Sequence, residues 1–238
     1  MGKKIISAII IYGDDYDKEL LELAKKSVSW CYETILVNGI RGSFSDWRNE
    51  GLKRARGEWI LYIDTDEEVS STLREEILST VNSSPSTVHA FAMPRRNFIF
   101  GQEFKYSGQY PDYQKRLFLR SKFKKWVGDL HEEPEFEGEI RHMNNSLIHY
   151  KNITISQMIE KTNKWSEIEA QLMFDEGHPK MNILRFVSVG FRELFLRFIK
   201  ERAFLDGKKG IIYGIYQIYS RLISYSKLWE KQAYIIHT

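Results

Sequence analysis

Three short runs of β-branched and aromatic residues punctuate the first third of the chain, at 5–12, 34–37 and 59–63. Each ends in a polar turn, the mark of a strand. Between them the period changes. From 18 to 30, Leu20, Leu21, Leu23, Ala24 and Val28 fall on one helical face, and a second helical stretch opens near Ser45 and Asp46 and runs to Arg56, with Gly57 as its stop. Strand alternating with helix predicts an α/β fold whose parallel sheet has right-handed crossovers.

Beyond the third run, Thr72-Leu-Arg-Glu75 fits a capping box opening a helix that ends near Val81. A loop at 82–86 contains Pro85. Residues 88–93 and 98–100 read as two strands of a hairpin, and 113–119 and 146–150 as further strands. From Ser156 the pattern is helical. Phe191, Leu194, Phe195 and Phe198 share a face that leaves Arg192, Arg197 and Lys200 elsewhere, and Ile211, Ile215, Ile218 and Leu222 repeat the arrangement. A boundary within 151–180 divides an α/β body, 1–150, from a helical C-terminal segment, 151–238.

Composition narrows the class. With 238 residues, 42% hydrophobic and 28% charged, the chain suits one sizeable globular domain plus an appended segment. The single cysteine, Cys31, excludes an internal disulfide framework and points to a reduced, cytosolic setting. Charge is uneven: residues 1–178 hold 24 Lys+Arg against 28 Asp+Glu, whereas 179–238 hold 11 against 4. A basic tail on an acidic body suggests a polyanionic partner, and a solvated helix surface is the plainer alternative. Lys3 and Lys4 before the first apolar run mimic a leader peptide, but Asp14, Asp15 and Asp17 follow at once without a cleavage site. The uncharged stretch 210–220 is too short to span a bilayer, so no transmembrane helix is expected.

Candidate chemistry gathers after the third run, which passes directly into Asp64-Thr65-Asp66-Glu67-Glu68. Ligands of an open parallel sheet collect at the carboxyl ends of its strands. Asp64 and Asp66, two apart, can point to the same side and bind Mg²⁺ or Mn²⁺ while leaving positions for diphosphate oxygens and water. Four carboxylates within five residues call for something positive nearby. Asp15-Tyr16-Asp17 repeats the spacing before a helical pattern, where it reads as a cap.

The run Arg48-Asn49-Glu50-Gly51, followed by Ala55-Arg56-Gly57-Glu58-Trp59-Ile60-Leu61-Tyr62-Ile63-Asp64-Thr65-Asp66-Glu67, resembles the core of family 2 glycosyltransferases. Within that family the chain is most similar to the bacterial branch that includes lipopolysaccharide inner-core glucosyltransferases. Asp112 to Phe118, Gly128-Asp129-Leu130-His131-Glu132, Ile148-His149-Tyr150 and Leu205 to Gly210 carry this likeness. The resemblance implies a GT-A fold with a mixed sheet flanked by helices, a nucleoside-diphosphate sugar donor, a divalent metal and inversion by single displacement. It implies that Asp66 ligates the metal, that Asp64 touches the donor ribose or the metal's shell, and that Arg48 and Asn49 belong to the donor site. His131-Glu132 occupies the place of the catalytic base, with Glu132 as base, His131 as its neighbour and Asp112 in reserve. Arg116 reads as a phosphate holder or an ordinary ion pair, and His149 as a core histidine that could approach the metal. Two departures leave donor identity open, with UDP as the default: Asn38 stands where the family has Asp, and Gly13-Asp14-Asp15 replaces Lys-Asn-Glu, leaving Asp14 or Asp15 to bond the base.

The expected acceptor is a glycan or lipid-linked glycan, lipopolysaccharide or surface polysaccharide. Aromatics interleaved with cations between Arg185 and Trp229 suit an anionic membrane surface, which would place the protein at the cytoplasmic face. Packing of the same stripes on the sheet or in a homo-oligomer is the alternative. Nucleic acid is not expected, since no binding motif accompanies the charge. Two rivals stand beside the transferase: a sugar nucleotidyltransferase, which would want more than the single glycine of Tyr12-Gly13-Asp14-Asp15, and a non-catalytic module that binds carbohydrate or membrane.

Overall fold

The computed structural model describes residues 5–14, 16–39, 42–83, 87–128, 132–151 and 154–234. In chain order the elements are β1 (Ile6–Tyr12), α1 (Lys18–Ser27), β2 (Glu33–Asn38), α2 (Phe44–Arg54), β3 (Trp59–Asp64), β4 (Glu67–Val69), α3 (Ser71–Ser83), β5 (Val88–Ile99), β6 (Gln102–Phe104), β7 (Asp112–Leu119), β8 (Phe123–Val127), β9 (Glu133–Phe136), β10 (Glu139–His142), β11 (Leu147–Lys151), α4 (Ile155–Asp175), α5 (Ile183–Leu194) and α6 (Gly207–Tyr234). They form two compact units, Met1–Asn97 with Pro111–Tyr150, and Phe98–Tyr110 with Lys151–Thr238.

The sheet of the first unit runs β2-β1-β3-β7-β5-β11-β4. β1 is parallel to both β2 and β3, as the strand–helix alternation predicts. The other half brings in antiparallel pairs, in keeping with the mixed sheet that the GT-A resemblance implies. β7 is antiparallel to β3 and β5, and β11 to β4, so the sheet is mixed. β3 lies buried on both faces, with Trp59 to Ile63 at most 1% exposed. One face packs Ile10, Leu61 and Ile63 on Leu21 of α1 and Leu73 of α3, and the other packs Ile9, Ile60 and Tyr62 with Phe118 and Trp126.

Several boundaries move, each for a local reason. α2 opens earlier than expected because Ser43 and Asp46 form a reciprocal capping box. It ends at Arg54, and Gly57 is not its stop. The Gly57 N–H donates to Ser7 Oγ at 2.7 Å, and an added Cβ there would lie 2.6 Å from the Ser7 nitrogen, closer than real atoms approach. α3 is capped by Ser70, whose Oγ accepts from the Leu73 N–H at 3.2 Å, so Thr72 lies inside the helix rather than capping it. The expected break between 88–93 and 98–100 does not occur: β5 continues through Pro94, which pairs with Tyr113, and its hairpin partner is β6. The reversal is at Phe100 and Gly101, both with positive φ, 53° and 69°.

The second unit is helical apart from 98–110, which it gains through Asp206. That carboxylate accepts from the Lys105 N–H at 2.9 Å and from Ser107 Oγ at 2.9 Å. A π-turn, Phe195–Lys200, continues α5, and α6 packs on α4 and α5. Among the described residues no helix is long and apolar enough to cross a membrane.

Candidate active site

β3 delivers Asp64 to the sheet's carboxyl edge, where two arginines meet it. Oδ1 accepts from Arg48 Nη2 of α2 at 2.8 Å, and Oδ2 accepts from Arg116 Nη2 of β7. Arg116 also donates to Glu67 Oε1 at 2.7 Å, and Arg95 of β5 reaches the same carboxylate at 3.3 Å. Arg95 faces its ladder partner Asp112 and holds it at 2.6 Å. Arg48 lies over the Trp126 ring, 4.8 Å from its centroid, and approaches Glu132 at 3.4 Å. Three arginines thus face four carboxylates, Asp64, Glu67, Asp112 and Glu132. Arginines balance Asp64 and Glu67, two of the four carboxylates for which the sequence called for something positive nearby.

The electrostatics follow from this lattice. Burial pushes the Asp64 carboxyl up, but Arg116 and Arg48 overcome it and hold the group well below the usual carboxylate range. Burial likewise opposes ionisation of Asp112, and Arg95, with hydrogen bonds from Asn97 and Gln114, brings it below its ordinary value. Arg116 is only 4% exposed. Burial disfavours its charge, yet Asp64 and Glu67 keep it firmly protonated. Arg48, Asp64, Arg95, Arg116, Trp126 and Glu132 line a cleft of about 320 Å³.

Asp66 sits in the turn between β3 and β4 with its side chain 40% exposed. Antiparallel pairing of β4 with β11 sets His149 opposite Glu67, and the Tyr150 N–H donates to the Asp66 carbonyl at 2.9 Å. This register, joining residues 83 apart in sequence, places His149 Nε2 3.2 Å from Asp66 Oδ2. Nδ1 of the same ring lies 2.6 Å from Asn97 Oδ1, and the Asn97 amide donates onward to Asp112 at 3.2 Å. Since the amide nitrogen faces a carboxylate, Asn97 Oδ1 is the acceptor and His149 Nδ1 carries the proton. The second ring nitrogen then turns toward a carboxylate oxygen, and the two need a proton or a metal ion between them. A clamped Nδ1 with Nε2 offered beside a carboxylate is the usual preparation of a metal-ligating histidine. Among the described residues no three His, Cys, Asp or Glu side chains converge as a ready cage. Two protein ligands suit Mg²⁺ or Mn²⁺ whose remaining positions go to phosphate oxygens and water.

The other sequence-nominated residues fall at different places. Asp14 and Asn38 are exposed at the carboxyl ends of β1 and β2, and Asp15 and His131 lie outside the described residues. Asp17 caps α1, accepting from the Glu19 and Leu20 N–H groups. Asn49 exchanges two hydrogen bonds with the Trp126 backbone, at 2.9 and 2.8 Å, and so ties α2 to β8. Sequence reasoning missed Arg95, Asn97 and Glu67 as partners. It also missed Trp47, whose ring packs so closely on Gly39 that a Cβ there would lie 1.9 Å from it. Arg95 and Asn97 were hidden by the expected strand break at Pro94.

Three parallel strands that carry an Asp-x-Asp turn, continued by antiparallel strands and flanked by helices, make up the GT-A fold. The chain belongs to glycosyl transferase family 2, whose family model matches residues 7–136. It is 24% identical over 185 residues to an uncharacterized glycosyltransferase of Rickettsia conorii, covering 73% of this chain. The chain spans 64% of that relative's length. It is also 24% identical to the lipopolysaccharide core biosynthesis glycosyltransferase LpsC of Rhizobium meliloti, over 82% of this chain and 74% of LpsC. Among solved structures, the mannosyltransferase PcManGT from Pyrobaculum calidifontis, in complex with GDP-Man and Mn²⁺, matches with a TM-score of 0.50 at 10% identity. The match covers 97% of this chain and 88% of PcManGT.

Proposed function

We propose that the protein transfers a sugar from a nucleoside-diphosphate donor, with UDP as the default nucleotide, to a glycan or lipid-linked glycan, using Mg²⁺ or Mn²⁺ held by Asp66 and His149. The observation that carries this reading is the 3.2 Å approach of His149 Nε2 to Asp66, with the opposite ring nitrogen fixed by Asn97. Bound there, the metal would neutralise charge developing on the leaving diphosphate. Asp64, with both oxygens held by arginines, fixes the turn and is left to the ribose or to the edge of the metal's shell. Asp14 and Asn38, exposed at the ends of β1 and β2, stand where a nucleobase would be received.

Glu132 is the base of this reading. Its side chain is 18% exposed in the cleft and has the Arg48 guanidinium beside it. Asp112 is the poorer proton acceptor, since Arg95, Asn97 and Gln114 all stabilise its charged form. Attack by a deprotonated acceptor hydroxyl on the face opposite the leaving diphosphate would invert the anomeric centre. The name of the Rhizobium relative favours a lipopolysaccharide-type acceptor.

Incubating the protein with UDP-sugars and Mn²⁺ should release UDP slowly, and chelator should stop it. In calorimetry Asp66→Asn and His149→Gln should each weaken Mn²⁺-dependent UDP binding by at least tenfold. Unchanged affinity in both variants would remove the pair from the site.

A further inference from the structure

The second unit presents an apolar surface that its own helices leave uncovered. Between residues 183 and 215, twelve large apolar side chains are exposed, among them Leu184 at 79%, Phe191 at 68% and Phe195 at 59%. Leu184, Val187, Phe191, Leu194 and Phe195 recur at helical spacing along one side of α5, and the π-turn Phe195–Lys200 extends the row to Ile199. The opposite side of α5 is the packed one, where Val189 and Glu193 are buried. Scattered apolar residues are ordinary on a protein surface, whereas a continuous row of this extent marks an interaction site.

The charges around the row identify what covers it. The same 33 residues contain seven Lys+Arg and three Asp+Glu. The acids are withdrawn. Glu193 is buried against Arg197 at 3.1 Å, Glu201 pairs with Arg197 at 2.9 Å, and Asp206 is used by backbone N–H groups and Ser107. The exposed charges, on Arg185, Arg192, Lys200, Arg202 and Lys208, are all positive. Such a surface is complementary to a sheet of anionic headgroups over hydrocarbon. It is poorly matched to a second copy of itself, because two-fold pairing would bring like charges together.

We infer that α5 and the turns after it, residues 183–215, form an interfacial membrane-binding face that inserts Leu184, Phe191, Phe195 and Ile199 among the lipids of an anionic phospholipid bilayer. The inference does not rest on the sugar-transfer reading. The cations would contact phosphate and the apolar row would enter the headgroup–acyl boundary, as interfacial helices do.

The test is co-sedimentation of the 238-residue chain with vesicles of phosphatidylcholine alone, or with about one-third phosphatidylglycerol. Binding is expected only to the anionic vesicles, and to weaken at high salt. Neutralising Arg185, Lys200 and Lys208 to Gln together should weaken it about 100-fold, at about fivefold per cation. The combined change Leu184→Ser, Phe191→Ser and Phe195→Ser should abolish binding with circular dichroism unchanged. A second measurement needs no apolar deletion: Phe191→Cys carrying a polarity-sensitive fluorophore should shift to the blue on anionic vesicles. Cys31 competes poorly for the label, since burial pushes its thiol up to about 12. No binding to phosphatidylglycerol vesicles at low salt, unaltered dye emission, or a stable dimer in solution that the serine variant dissolves would each overturn the proposal.

Discussion

At the scale of single residues, the site is a lattice in which each arginine serves two carboxylates. Arg48 joins Asp64 to Glu132, Arg116 joins Asp64 to Glu67, and Arg95 joins Glu67 to Asp112. Glu132 differs from the others because, among the described residues, its one ion pair is the longest of the set, 3.4 Å, so its carboxylate is the least committed. Replacing Glu132 with Gln keeps the shape and removes the proton acceptor. Transfer should fall about 10²–10⁴-fold with donor affinity held, the usual worth of a positioned base. Transfer at the wild-type rate in that variant would return the role to Asp112. Both carboxylates could be named from the sequence because each stands at one end of a run resembling the family, Asp112 opening its run and Glu132 closing its own. Their unequal environments could not, since Arg48 reaches Glu132 from 84 positions upstream.

Among elements, β3 and the helices beside it were legible because their signals are local: an uncharged strand, a 3.6-residue apolar period, a capping aspartate before α1. The shortest strands were not: β4 and β10 of the main sheet and β8 and β9 of a separate two-stranded sheet are three to five residues long, and β4 and β10 obtain their order from partners far along the chain. His149 illustrates the same limit, as its role depends on β11 pairing with β4 in one register. Two side chains make such long-range seams testable. Asn49→Ala would leave the Trp126 N–H and carbonyl without their partner, and should cost about 2 kcal/mol, or roughly 5 °C in Tm. A melt within a degree of wild type would show that the seam holds without it. Glu76 of α3 accepts from the backbone and side-chain amides of Asn144 and Asn145 at 2.7 to 3.2 Å. Burial raises its carboxyl, but those bonds bring it below the ordinary value. A depressed folded value stabilises the protein fully above the unfolded pKa, about 4.3, and the stabilisation is lost as pH falls through the folded value. Glu76→Gln should therefore lower the urea midpoint at pH 7 and leave it near wild type at pH 3. A gap of the same size at both pH values would assign the effect to packing.

Over the whole molecule, charge is divided between the two units, and each is proposed to meet a different partner. The first unit gathers carboxylates and arginines around the end of β3, and within the second the stretch 183–215 withdraws its acids and leaves five cations exposed. A ligand that binds only the folded state stabilises by mass action, by about 2.7 kcal/mol at a hundredfold excess over its Kd. If Asp66 and His149 hold the metal that receives a diphosphate, UDP and Mn²⁺ together should raise Tm, and neither should do so alone. In hydrogen exchange, amides of 59–69 and 147–150 should slow under the same joint condition, while 183–215 should not respond. Anionic vesicles should produce the reverse pattern, protecting 183–215 and leaving the β3 turn unchanged. Protection of 59–69 by UDP in excess chelator would mean that the nucleotide binds without a metal. The 3.2 Å pair would then be an ordinary hydrogen bond, with the proton and not a cation between His149 and Asp66.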